Sequence, residues 1–340
     1  MQEIQPFQRL LSRCRSWLMK TGNRPIRPLD NPGHVHASTL KQVASTFVDG
    51  FSIAIETDTR NLEREIGVMK ATDRGVGYEG ASAAKAVLDL TSQVKFGLSR
   101  QTESHLGDSE PALKSVIQAQ LSQSTALLTE ADRYTFLLFL GIGEAMAQLK
   151  LPPVLCNEIA NELWCGQILE GYGFFDGYFN WFDSLVNQRY PAALKPELRS
   201  FYDQGLGRAI YFVTNSSPTL IRDYINNFPL ERRSELWSGV GIPTAYVGGL
   251  SEKELRKLID YSGTYRAEIM QGVLLGASAR AKQELVPDHT ELACNIVCGM
   301  HLIEGLSVTS ELEQMLQLRE SYNMADWQAV VRKLLRKEAC

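Results

Sequence analysis

Repeatedly the chain sets two glycines one residue apart within stretches whose apolar residues recur at helical spacing. The pairs are Gly75-Val-Gly77, Gly141-Ile-Gly143, Gly171-Tyr-Gly173, Gly205-Leu-Gly207 and Gly239-Val-Gly241. Glycine inside a helix costs about 1 kcal/mol relative to alanine. That cost is recovered where two helices cross closely at the missing Cβ. A dinucleotide fingerprint needs a strand before its glycines and a helix opening after them, and no clear strand precedes any of these pairs. Close helix packing is the reading adopted, with phosphate cradling as the alternative.

The remainder also reads as helices, and the predicted fold class is all-α. Start signals support this: Ser217-Pro218, with proline at the first helical position, and the capping boxes Ser251 with Glu254 and Asp288 with Glu291. Gly75-Val-Gly-Tyr-Glu-Gly80 resembles Gly171-Tyr-Gly-Phe-Phe-Asp-Gly177, and Gly141–Gly143 lies nearly as far beyond the first block as Gly239–Gly241 lies beyond the second. Two pseudo-repeated helical halves follow as an expectation, at 37–155 and 156–325, with Gly-x-Gly seams between helices. Residues 1–36 form a basic amphipathic helix and a Pro-rich linker, and 326–340 a second basic amphipathic helix.

The net charge of −4 hides an asymmetry. Arg9, Arg13, Arg15, Lys20, Arg24 and Arg27 crowd one end and Arg332, Lys333, Arg336 and Lys337 the other, so the body is acidic. An acidic body disfavours nucleic acid as the main partner. The two basic ends suit docking on an anionic membrane surface, on a partner protein, or back on the acidic body. No apolar run approaches the roughly 18 residues of a span, and the stretch Phe136–Leu149 is interrupted by Glu144. The first residues lack the apolar core of a signal peptide. Six scattered cysteines, mostly in apolar helical patterns, are expected as reduced thiols of a cytoplasmic protein with, at most, peripheral membrane contact.

Gly171 to Trp181 combines close-approach glycines with Tyr172, Phe174, Phe175, Tyr178 and Trp181, which are expected to wall a hydrophobic pocket together with Tyr78, Trp237 and Tyr246. Asp176, Asn180 and Asp183 share one helical face. They read as a solvated stripe, as an acid in a pocket, or as oxygen ligands for Mg²⁺. Glu79 is the counterpart of Asp176, so the two acids are expected to meet as a dyad, with Arg208 as counter-ion. Cys294, Cys298 and His301 also share a helical face, with His289 nearby. Core packing, a reactive thiol and a zinc site are the alternatives there. His289 joins Glu79, Asp176 and Arg208 as a catalytic candidate. No metal and no organic cofactor are called for.

Four ordered blocks carry a resemblance: Glu170–Phe179, Asp203–Ala209, Glu235–Gly241 with Tyr246–Gly249, and Pro287–Cys294 through Cys298-Gly299. They resemble the family of proteins with domain of unknown function 1702, from about Phe47 to Thr309. Where that family's aromatic block is expected to hold histidine, this chain has Phe175. The resemblance implies a context in bacterial secondary metabolism, notably enediyne polyketide clusters. The expected role is therefore an accessory protein that binds, and in one version transforms, a hydrophobic polyene- or polyketide-like intermediate alongside pathway proteins. The alternatives are a non-catalytic scaffold or chaperone, and a prenyl-chain cyclase.

Overall fold

Glycines two residues apart in a helix point in directions roughly 200° apart. A Gly-x-Gly pair therefore bares opposite sides of one helix, so that a neighbour can press against each. The computed structural model describes residues 37–57, 59–98, 131–156, 162–317 and 324–338, and is built on this rule. Among the described residues there is no strand, and the all-α expectation holds.

The helices of the main row are α1 (Ala37–Glu56), α3 (Arg74–Leu98), α4 (Ala131–Gln148), α5 (Glu162–Phe179), α6 (Arg199–Val213), α8 (Leu230–Tyr246) and α10 (Arg266–Lys282), each packed against the next. In α4 to α8 the first glycine faces the preceding helix of the row and the second faces the following one. A Cβ on Gly171 would lie 2.0 Å from the Leu140 carbonyl oxygen of α4, and one on Gly173 2.1 Å from that of Tyr202 in α6. Gly205 meets Glu170 and Gly207 meets Leu236 in the same way, and Gly239 and Gly241 continue the pattern to Gln204 and Ile269. In α3, Gly80 faces α1, while Ser82, two residues on, hydrogen-bonds the Leu138 carbonyl of α4.

The expected boundary between residues 155 and 156 falls between α4 and α5. Yet Gly143 and Gly171 knit these two helices as closely as any other pair. The seam repeats helix by helix and runs through the division into halves.

Shorter helices brace the row. α2 (Thr59–Gly67) packs on α1 and α3, α7 (Pro218–Asn226) on α9 (Glu252–Ser262), and α11 (Asp288–Ala293) on α8. The row also curls on itself: α10 touches α4, Arg280 of α10 donates to the Thr72 carbonyl just before α3, and Arg208 of α6 reaches Glu79 of α3. α12 (Leu302–Gln317) and α13 (Met324–Glu338) pack on α10 and on each other.

Of the start signals, Ser251 and Glu254 form the expected capping box, and α7 begins at Pro218. Asp288 and Glu291 do not form one. Pro287 precedes the helix without a side-chain cap, and the Glu291 carboxylate instead takes His301 Nδ1 at 3.2 Å. α13 docks on the body of the protein. Trp327, Val331 and Leu335 are buried, Arg332 grips Glu235 with two hydrogen bonds of 2.6 Å, and Arg336 reaches Glu268. The N-terminal helix and linker lie outside the described residues, as do Cys14 and Cys340. No single described helix is long and apolar enough to cross a membrane.

Cys156 and Cys165, with Cα atoms 5.1 Å apart, are joined as a disulfide, which corrects the expectation of reduced thiols for that pair. Cys294 and Cys298 are free and buried. They occupy a π-helical turn that ends at Gly299 with φ 70°, so the helical spacing that was to bring in His301 is broken there.

Candidate functional site

The charged residues of the inner seam each sit directly beside a seam glycine. Glu79 precedes Gly80, Glu144 follows Gly143, Glu170 precedes Gly171 and Arg208 follows Gly207. Because the glycines hold α3, α4, α5 and α6 at one level, these four side chains gather there. All are buried, with Arg208 only 8% exposed and the three acids less. Arg208 makes a charge-assisted hydrogen bond to Glu79, and its guanidinium lies 4.2 Å from the centre of the Phe174 ring.

Three carboxyls around one guanidinium cannot all be ionised cheaply in a dry interior. Burial, and then the neighbouring Glu79, push Glu144 well above the usual carboxylate range, against the pull of Arg208, and a hydrogen bond to Glu79 adds to the rise. Burial pushes Glu170 to about 7, opposed by Arg208 and reinforced by Glu79. Three of the cluster's polar atoms, Glu144 Oε1, Glu170 Oε1 and Arg208 Nη1, have no hydrogen-bond partner among the described residues.

An acid with a raised pKa favours folding while the unfolded chain also keeps its proton. That contribution from Glu170 is whole below the ordinary value of 4.5 and is lost as pH rises through about 7. The total is on the order of 3 kcal/mol at 1.36 kcal/mol per pKa unit. Glu170→Gln should therefore gain stability relative to the parent as pH is raised from 5 to 8 in urea titrations. A difference between the two proteins that stays flat over this range would mean that Glu170 is hydrated.

A partly open cleft leads to this cluster, and its volume of about 560 Å³ includes space open to solvent. Val43, Phe47 and Val48 of α1 form one wall, and Phe174, Tyr178 and Phe212 of α5 and α6 the other. Glu79, Glu144 and Arg208 lie at its polar end. Phe174 stacks on Tyr178 with centroids 5.8 Å apart, and its ring meets Phe212 edge-on at 5.4 Å.

Of the expected aromatic wall, Phe174 and Tyr178 line the cleft. The others are placed elsewhere. Trp237 and Phe175 are buried in the core, Tyr78 stacks on Tyr134, and Tyr172 donates to the Leu151 carbonyl. The Tyr246 ring lies under Arg280, and Trp181 packs partly buried against the core with its edge to Phe182.

The expected dyad of Glu79 and Asp176 does not form. Residues 170 and 176 are roughly 240° apart around α5, so when Glu170 faces the cluster Asp176 faces away. It accepts from Asn180 at 2.8 Å and Tyr202 at 3.0 Å instead. Asp183 is exposed beside Asn187 and Arg189, so the stripe at 176, 180 and 183 does not converge as cation ligands. His289 is also remote from the cluster: its Nε2 is 3.3 Å from the Tyr246 carbonyl, and burial lowers its pKa. Cys298 Sγ lies 3.6 Å from the Met270 carbonyl and His301 is exposed on Glu291. Among the described residues no group of three histidines, cysteines or acids is placed to hold a metal ion.

Glu144 and Glu170 are the functional candidates that sequence reasoning passed over. In the sequence Glu144 stands only as a charge interrupting an apolar run, and Glu170 as the first residue of a block. A partial signal was available: Glu144, Glu170 and Arg208 each touch a Gly-x-Gly pair at a helix crossing, although Arg74, beside Gly75, reaches out to the Gly67 and Met69 carbonyls instead.

No curated protein and no solved structure matches the chain. A family model does, over residues 26–335, which is most of its length. The chain thus belongs to the family described as Protein of unknown function (DUF1702).

Proposed function

We propose that the chain binds a hydrophobic, unsaturated small molecule in the cleft between α1, α5 and α6 and donates a proton to it from Glu144. The resemblance to proteins of enediyne-type polyketide clusters supplies the context, an accessory protein acting on a polyene- or polyketide-like intermediate. One observation carries the reading: a carboxyl group whose pKa burial and Glu79 raise well above the usual carboxylate range lines an aromatic and aliphatic cleft. A general acid must hold its proton at working pH and release it to a group within reach. When the proton passes to a double bond or carbonyl of the ligand, a ligand electron pair forms the new bond, the O–H pair stays on the Glu144 carboxylate, and the cationic ligand is neutralised by giving a proton back to that carboxylate. Arg208 then meets the new charge, and the nearness of Glu79 favours return of the proton.

Replacing Glu144 by glutamine preserves shape and removes the acid. In a producing strain lacking the native gene, complementation with Glu144→Gln should lower the pathway product about 10²-fold or more, the usual contribution of a positioned acid. Circular dichroism of the purified variant should match that of the parent. Full complementation by the variant would overturn the catalytic step and leave a carrier or scaffold that only holds the intermediate.

A further inference from the structure

The polar end of the cleft also restricts what a ligand can carry there, if the cleft binds a small molecule as proposed above. We propose that it selects a neutral oxygen, a hydroxyl or carbonyl on an apolar chain, and turns away carboxylates, phosphates and ammonium ions.

Two independent features lead to this. The first is charge. Glu79 and Glu144 line the cleft, Glu170 stands behind them, and the one guanidinium among them is already engaged by Glu79. An anionic head group would enter a buried site whose guanidinium is already taken by Glu79 and whose Glu170 is ionised above about pH 7, and like charges there repel far more strongly than in water. The second is the set of unused hydrogen-bonding positions. Arg208 Nη1 is a donor and only a donor, it is buried, and it has no partner among the described residues. An ammonium ion has no lone pair to offer it. Glu144 Oε1 is likewise without a partner.

A hydroxyl satisfies both atoms, accepting from Arg208 and donating to Glu144. A carbonyl satisfies Arg208 with one lone pair, and takes the Glu144 proton with the other once that proton leaves its hydrogen bond to Glu79. Buried polar groups left unpaired are costly, so the ligand that pairs them gains accordingly. The aliphatic and aromatic walls require the remainder of the ligand to be apolar. By the same placement a diphosphate-bearing prenyl chain should bind this cleft poorly, since its head would meet the acids rather than a cation cluster.

The full chain can be tested by displacement of the neutral fluorophore Nile red at pH 8, with dodecan-1-ol, dodecan-2-one, dodecanoate and dodecylamine as competitors. The alcohol and ketone should displace the dye at concentrations lower than the two ions by on the order of tenfold. Glu170→Gln removes one acid without touching the cleft wall and should narrow the gap between alcohol and carboxylate. Dodecanoate competing as well as dodecanol would overturn the head-group assignment while leaving the cleft as a binding site. If none of the four competes, the binding reading falls as well.

Discussion

Gly239→Ala should lower the stability of the protein by about 3 kcal/mol in urea titrations. The added Cβ would lie 1.9 Å from the Gln204 carbonyl oxygen and 2.9 Å from the Arg208 amide nitrogen. Both are backbone atoms of a helix that is held from its other side by α5, so neither can turn aside as a side chain would. Alanine's better helix propensity favours the variant by about 1 kcal/mol. Overpacking typically costs about 1–3 kcal/mol and more where nothing can relax, so the clash wins. Gly67→Ala is the control. It sits at the exposed end of α2, where a Cβ meets nothing within 4 Å, and it should leave stability nearly unchanged or slightly raised. If Gly239→Ala stays within about 1 kcal/mol of the parent, the helices of the row separate easily and the glycine seam is not what holds them.

The second large effect concerns Arg208. Arg208→Met keeps much of the side-chain length and removes the guanidinium, leaving Glu79, Glu144 and Glu170 without their counter-charge. Breaking a buried ion pair from one side costs about 3–5 kcal/mol. The cost should grow with pH. At low pH Glu144 and Glu170 can hold protons and stay neutral, whereas at pH 8 the unfolded chain ionises them and the folded variant resists. Adding Glu79→Gln to Arg208→Met should restore part of the loss, because the orphaned charge is then gone. A loss below about 1 kcal/mol, equal at pH 5.5 and pH 8, would show that the cluster is hydrated rather than buried as the fold implies.

The coupling between these two residues explains how structure and site depend on one another. Gly207 brings α6 against α8 and Gly205 brings it against α5. Arg208 is thereby fixed within α6 at the height of Glu79, Glu144 and Glu170. The seam that gives the helices their close packing also gathers charges that would otherwise stay in water, and the raised pKa of Glu144 follows from that gathering.

Much of this was legible along the chain. Helical periodicity gave the all-α class, and glycines with no strand before them pointed to helix crossings instead of a nucleotide loop. Ser251 with Glu254 marked a true helix start. Glu79, Arg208, Phe174 and Tyr178 were named from residue type and spacing, and all four line the cleft. The C-terminal helix, read as able to fold back on an acidic body, does so through Glu235 and Glu268.

Local spacing specifies which face of a helix a residue occupies, but not which helix that face will meet. The partner of Glu79 was therefore decided only by the tertiary structure. The resemblance of two glycine-aromatic-acid blocks suggested Asp176, whereas the curl of the row set Arg208, Glu144 and Glu170 against it, while Asp176, partly buried on another face of α5, took Tyr202. The same holds for His289, Trp237 and Tyr246, whose chemistry is plain in the sequence and whose surroundings are not. Residue type and helical period are properties of a few consecutive residues, whereas burial, and with it the protonation of an acid, belongs to whatever the rest of the chain brings alongside.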